Sequence, residues 1–172
     1  MCCDGTMYRT VDVGGDDRTD QLERAGLVFF TRDDVTSFRQ PCTAFGGGCC
    51  YVYEIRPSAC RWNRCLLLRR VEAGEVTEDD ARALIAQTTT LRDRVRAGLT
   101  GLVAPSHREA LEGLYRLATV KFDAAPDPAA ARREHAELLL EVAALRVLLS
   151  REFEPRDSKS HQAEPLPGGS SG

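Results

Sequence analysis

Residues 41–65 read PCTAFGGGCCYVYEIRPSACRWNRC, and this stretch holds five of the seven cysteines: Cys42, Cys49, Cys50, Cys60 and Cys65. Cys2 and Cys3 sit beside the amino terminus, and none occurs after residue 65. A core drawn from the whole chain would spread its cysteines. The skew therefore points to a chemical use of the thiols rather than to packing alone. Thiolates are soft ligands that suit zinc, copper(I) and iron–sulfur clusters. The spacings are Cys42-x6-Cys49, Cys50-x9-Cys60 and Cys60-x4-Cys65, none of them the paired C-x2-C of a zinc ribbon. Zinc and iron–sulfur clusters both accept varied spacings when the fold brings four sulfurs together.

Composition bounds the remaining options. The chain has 172 residues, 42% hydrophobic and 28% charged, as in a soluble globular protein. Its net charge of −3 gives no general attraction to nucleic acid or an anionic membrane. No apolar run is long enough to span a bilayer, and MCCDGTMYRTVDVGGDD carries no basic-then-apolar signal pattern. The expected compartment is cytoplasmic, where thiols stay reduced. An odd number of cysteines also leaves one over in any purely disulfide framework.

Outward from the cysteine stretch, the upstream pattern is broken and the downstream pattern helical. YRTVDV (8–13) reads as a short strand and DRTDQLERAG (17–26) as a short helix closed by Gly26. LVFF (27–30) is a strand or buried connector. DDVTSFRQP (33–41) reads as a polar turn, and YVYEI (51–55) as a short strand. Gly46, Gly47 and Gly48 permit unusual backbone angles. Downstream, Thr77 with Asp80 resembles a capping box before Ala81, Leu84, Ile85, Thr88, Leu91, Val95 and Leu99, which follow helical spacing. Ser106 is the expected cap of a second helix, with Leu111, Leu114 and Leu117 or Ala118 on one face. Asp127 and Pro128 open a third helix, expected to run unbroken to about Phe153 on Leu138, Val142, Leu145 and Leu149.

The expected fold is mainly α: an irregular cysteine-rich metal-binding lobe (1–74), followed by an antiparallel bundle or hairpin of about three helices packed on it (75–154). The tail, 155–172, is polar, rich in Pro, Gly and Ser, and expected to be disordered.

The order CCDGTMY, then QPC, then CYVYEIRPSACRWNRC resembles the YkgJ-like cysteine-cluster family, described as a zinc- or iron-chelating domain. Cys50, Val52, Tyr53, Arg56, Pro57, Cys60, Arg61 and Cys65 fall on the family's closing pattern. Cys42 falls on its upstream Pro-Cys, and Cys2 with Cys3 on its double cysteine. The resemblance covers roughly residues 2–68 and leaves Cys49 outside the pattern. It implies a metal set of Cys2, Cys3, Cys42, Cys50, Cys60 and Cys65 holding an iron–sulfur cluster or zinc. The helical region would then be scaffold or a surface for a protein partner.

Arg56 and Arg61 have two readings. They offset the negative charge of a multi-thiolate site and lower nearby thiol pKa values, or they form salt bridges to Glu54 or Asp4 and are simply solvated. Tyr51, Tyr53 and Trp62 either shield a cluster or build the core of a small lobe. The basic run Arg56, Arg61, Arg64, Arg69 and Arg70 beside aromatics is a feature of RNA binders, against which the acidic balance argues. His107, His135 and His161 lie away from the cysteines and are excluded as ligands. Besides a cysteine-cluster metal protein of unstated role, two alternatives stand. One is a cluster-dependent methyltransferase, since flagellin lysine N-methylases carry a similar cysteine-cluster domain. The other is an iron or zinc carrier with exchangeable metal.

Overall fold

The computed structural model describes residues 1–105 and 108–154. The first half is not irregular. Strand β1 (Thr10–Asp12) and β2 (Phe29–Arg32) flank β3 (Val35–Arg39) in an antiparallel sheet of order β1-β3-β2. Helix α1 (Thr19–Arg24) lies between β1 and β2 in sequence, and its Leu22 is fully buried. The segment expected as a polar turn is thus the central strand. Phe38 explains why: it is buried at 3% exposure, opposes Val11 on one side and Phe29 on the other, and meets the Phe29 ring edge-on at 6.1 Å. Asp33 and Asp34 are the two residues between β2 and β3, and both have positive φ, 51° and 63°, as a tight two-residue hairpin requires.

A second hairpin pairs β4 (Phe45–Gly46) with β5 (Cys49–Cys50). Its two connecting residues, Gly47 and Gly48, take φ of +57° and +81°, a conformation open to glycine at no steric cost. YVYEI is no strand: Tyr53–Ile55 form a single 3₁₀ turn. Two short helices follow, α2 (Ser58–Trp62) and α3 (Leu66–Glu72).

The helical half has four helices where about three were expected. These are α4 (Glu78–Val103), α5 (Leu111–Asp123), α6 (Pro128–Glu134) and α7 (Ala136–Glu152). Thr77 caps α4, accepting from the Asp80 amide at 3.1 Å and donating to its carboxylate at 2.7 Å. Buried Thr88 returns its hydroxyl to the Leu84 carbonyl at 2.7 Å, so it leaves no unpaired donor in the core. The cap expected at Ser106 lies outside the described residues, and α5 itself starts at Leu111. Asp127 caps α6 through the Ala130 amide at 2.9 Å with Pro128 in its first turn. The expected single long helix is interrupted at His135, whose backbone (φ −107°, ψ 23°) is not helical and whose ring packs against Phe122. The expected tail, 155–172, also lies outside the described residues.

The helices are not a simple antiparallel bundle. Arg94–Glu141 and Gly98–Leu138 contacts run in opposite order along α4 and α7, so that pair is antiparallel. Along α4 and α5, Arg96 reaches Glu109 and Lys121 reaches Leu102, in the same order on both. Val95, Leu99, Leu114, Ala118, Leu145 and Leu149 fill the core between these helices, joined by Leu67 of α3. A smaller core of Leu22, Leu27, Phe38, Cys42, Ala44 and Val52 lies under the sheet. None of the described helices is long and apolar enough to cross a membrane.

Leu99 is fully buried and Val120 is 61% exposed. Leu99→Ala is expected to cost about 2–5 kcal/mol in urea unfolding and Val120→Ala less than about 0.5 kcal/mol.

Candidate metal centre

Five separate pieces of chain deliver the six candidate cysteines. Cys2 and Cys3 lie in the amino-terminal turn, and Cys42 follows β3. Cys50 is in β5, Cys60 in α2, and Cys65 is the residue that opens α3. The amino-terminal turn is fixed from three sides. The Cys42 amide donates to the Cys3 carbonyl at 2.8 Å and the Leu111 amide to the Gly5 carbonyl at 2.8 Å. Arg96 donates to the Asp4 carbonyl at 2.9 Å, and Arg92 pairs with the Asp4 carboxylate. Gly5 has φ +75°, and a Cβ there would stand 3.0 Å from Ala110 Cα, so only glycine seats the turn against α5.

The thiols fall into two adjoining groups. Cys3, Cys50 and Cys60 pack around buried Cys42 on the small core. Burial pushes the Cys60 thiol from an ordinary 9.0 up to about 12, with negative charge on Cys3, Cys42 and Cys50 adding to the rise. The Cys3 and Cys42 thiols are raised for the same reasons, burial first and then their sulfur neighbours. Cys2 is raised by burial and then by Cys3, Cys65 and Asp4, against the pull of the amino terminus. It belongs with Cys65, Asn63 and Tyr8. Asn63 donates to Cys2 Sγ at 3.4 Å and accepts from the Tyr8 hydroxyl at 3.2 Å. The Tyr8 phenol is pushed up to about 12 by burial and by Cys2 and Cys65. Cys65 Sγ accepts from the Leu68 amide at 3.5 Å, capping α3. Cys2 and Cys3, adjacent in sequence, join the two groups. Cys49 stands apart, exposed on the β4–β5 hairpin.

As the side chains stand, no group of three or more His, Cys, Asp or Glu among the described residues is set to hold a metal ion. The six thiols are neighbours, all free of disulfides, but they are not closed on a common centre. His135 lies at the α6–α7 break beside Phe122, and His107 and His161 lie outside the described residues.

The two arginines part company. Arg56 lowers the thiol pKa of both Cys3 and Cys60, which places its charge beside that group. Its guanidinium lies 3.8 Å from the Tyr53 ring centre, and its Nε is buried with no hydrogen-bond partner among the described residues. Neither Glu54 nor Asp4 pairs with it. Arg61 instead faces Asp17 at 3.7 Å, a partner absent from the sequence reading. Asp17 is the larger omission. Its side chain is 2% exposed and accepts from the Ser58 amide at 2.8 Å, the Ser58 hydroxyl at 3.1 Å and the Gly14 amide at 2.9 Å. It therefore fixes the start of α2 and, two residues on, Cys60. The only sequence signal was an acidic residue in a Gly-Asp turn, which has no address for a partner 41 residues away.

Tyr51, Tyr53 and Trp62 are 72%, 56% and 66% exposed, so they neither shield the thiols nor form a core. The basic run is largely neutralised by acids: Arg61 by Asp17, Arg64 by Glu72, Arg70 by Glu75 and Glu152. No protein-family model, curated protein or solved structure matches the chain.

Raised thiol pKa values set a direction for stability. The folded state favours the protonated thiol, so stability is complete below about pH 9 and falls as pH rises toward about 12, through the folded value of Cys60. Urea unfolding of the metal-free protein is expected to show this loss on raising the pH from 8 to 11 (values about these, set by the ordinary thiol range), and Cys60→Ser is expected to flatten it. Asp17→Asn is expected to destabilise the fold by about 1–3 kcal/mol in the same urea unfolding, because it weakens three hydrogen bonds, two of them part-buried, and unpairs Arg61.

Proposed function

We propose that this chain is a cysteine-cluster metal-binding protein of the YkgJ-like kind, with zinc or an iron–sulfur cluster as its cargo. The reading rests on one observation. Cys3, Cys42, Cys50 and Cys60 come from four separate segments and gather beside one buried arginine nitrogen that has no partner among the described residues. Four thiolates are a complete donor set for tetrahedral zinc or for an iron–sulfur cluster. The donor chemistry therefore fits either group. These four would hold it, and Cys2 and Cys65 adjoin as further ligands or as acceptors of hydrogen bonds from Asn63 and Leu68.

Ligation requires rotation of the cysteine side chains about χ1 and loss of their protons. Arg56 would supply positive charge against the sulfurs, and its free Nε–H would gain an acceptor in a bound thiolate. Zinc would add folding free energy to a lobe with a small core; an iron–sulfur cluster would also supply one-electron redox chemistry. Cys49, exposed on its hairpin, plays no part.

Elemental analysis and the visible spectrum of anaerobically purified protein test the reading. Stoichiometric zinc without colour, or iron with sulfide and a brown colour, is expected; protein free of both after growth with each metal contradicts it. Cys60→Ser is expected to abolish metal retention and Cys49→Ser to leave it unchanged. Metal added at neutral pH is expected to release about four protons, one per ligand thiol, measured by titration in weak buffer.

A further inference from the structure

Helix α7 is apolar on two nearly opposite sides. One row, Val142, Leu145 and Leu149, fills the core. The other carries Leu140, Ala144 and Val147 into solvent, with Leu140 71% and Val147 56% exposed. A helix apolar on both sides ordinarily has both sides covered. The ends of the outer row carry opposite charge. Glu137 lies seven residues before Ala144 and Arg151 seven residues after it, so at 3.6 residues per turn all five residues share one face. Glu137 and Arg151 are both exposed, and neither has an ion-pair partner among the described residues.

We propose that this row is the interface of a two-fold symmetric homodimer in which two α7 helices cross antiparallel at Ala144. The charge order selects a second copy of this chain as the occupant. Reversed on itself, the row sets Glu137 against Arg151 of the partner subunit and Leu140 against Val147 of the partner subunit, and the symmetry gives each pairing twice. Ala144 falls on the axis, where a small side chain lets the helices approach. A parallel arrangement would place Glu137 against its own copy. One helix pair forms a small interface, below the standard size, so the dimer is reversible and grows with concentration. The proposal is independent of metal binding.

Sedimentation velocity of the full chain, across a wide range of concentrations and with reductant present, tests it. The wild type is expected to pass from monomer to dimer, and Leu140→Asp to remain monomeric. Glu137→Arg alone and Arg151→Glu alone are each expected to weaken association about tenfold, since each replaces two ion pairs by like-charge contacts. The two together are expected to restore it. Circular dichroism shows that each variant is folded, and the charge reversals keep the test valid if Leu140→Asp fails to fold. A wild type that is monomeric throughout, association indifferent to these changes, or a double variant no better than the singles would overturn the proposal.

Discussion

The amino-terminal turn holds the two halves of the molecule together. Its Cys3 carbonyl takes the Cys42 amide from the small lobe, while its Asp4 and Gly5 carbonyls take Arg96 of α4 and the Leu111 amide that opens α5. Each such bond is worth only about 0.5–1.5 kcal/mol net. Their effect is positional. The same turn carries Cys2 and Cys3, so seating it on the helices brings the first two thiols to cysteines 39 to 63 residues further along the chain. The Asp4–Arg92 pair, with side chains 17% and 15% exposed, is the electrostatic part of that clamp. Its partial burial makes it more consequential than the exposed pairs on the helix surfaces.

The helical core and the lobe differ in how much they can sustain alone. The former draws twelve buried residues from α3, α4, α5, α7 and the flanking segments. The latter has six, one of them Cys42. Small cores are marginal, and metal ligation is a common supplement to them. Thiols buried together without metal carry a second consequence. Cys3, Cys42 and Cys60 resist ionisation the more because their neighbours are also sulfur, so at neutral pH a bound cation would favour their charged form. Arg56 supplies one positive charge, and its Nε is unpaired among the described residues.

Local signals were legible in the sequence and distant ones were not. Thr77 with Asp80, and Asp127 with Pro128, announce helix starts within four residues, and both are found. The rows Val95–Leu99 and Val142–Leu145–Leu149 follow helical spacing and are buried. Strand β3 escaped because Thr36, Ser37 and Arg39 break the apolar–polar alternation that marks a strand, and the segment owes its place to pairing with β1 and β2. The break at His135 escaped because neither proline nor glycine marks it. For the site, the clustering of cysteines pointed to thiol chemistry, and six of the seven are neighbours in the fold. It could not tell that six thiols divide into a group of four around Cys42 and a pair beside Tyr8. Nor could it pair Arg61 with Asp17 across 44 residues, since that contact depends on how α2 meets the loop after β1.

The central claim is that Cys3, Cys42, Cys50 and Cys60 act as one unit toward a metal. Thiol alkylation read by mass spectrometry, residue by residue, in metal-loaded and metal-stripped protein tests it most directly. The account predicts that loading protects these four together while Cys49 reacts alike in both states. Equal reactivity of the four with and without metal, or protection of Cys49 in their place, would contradict it.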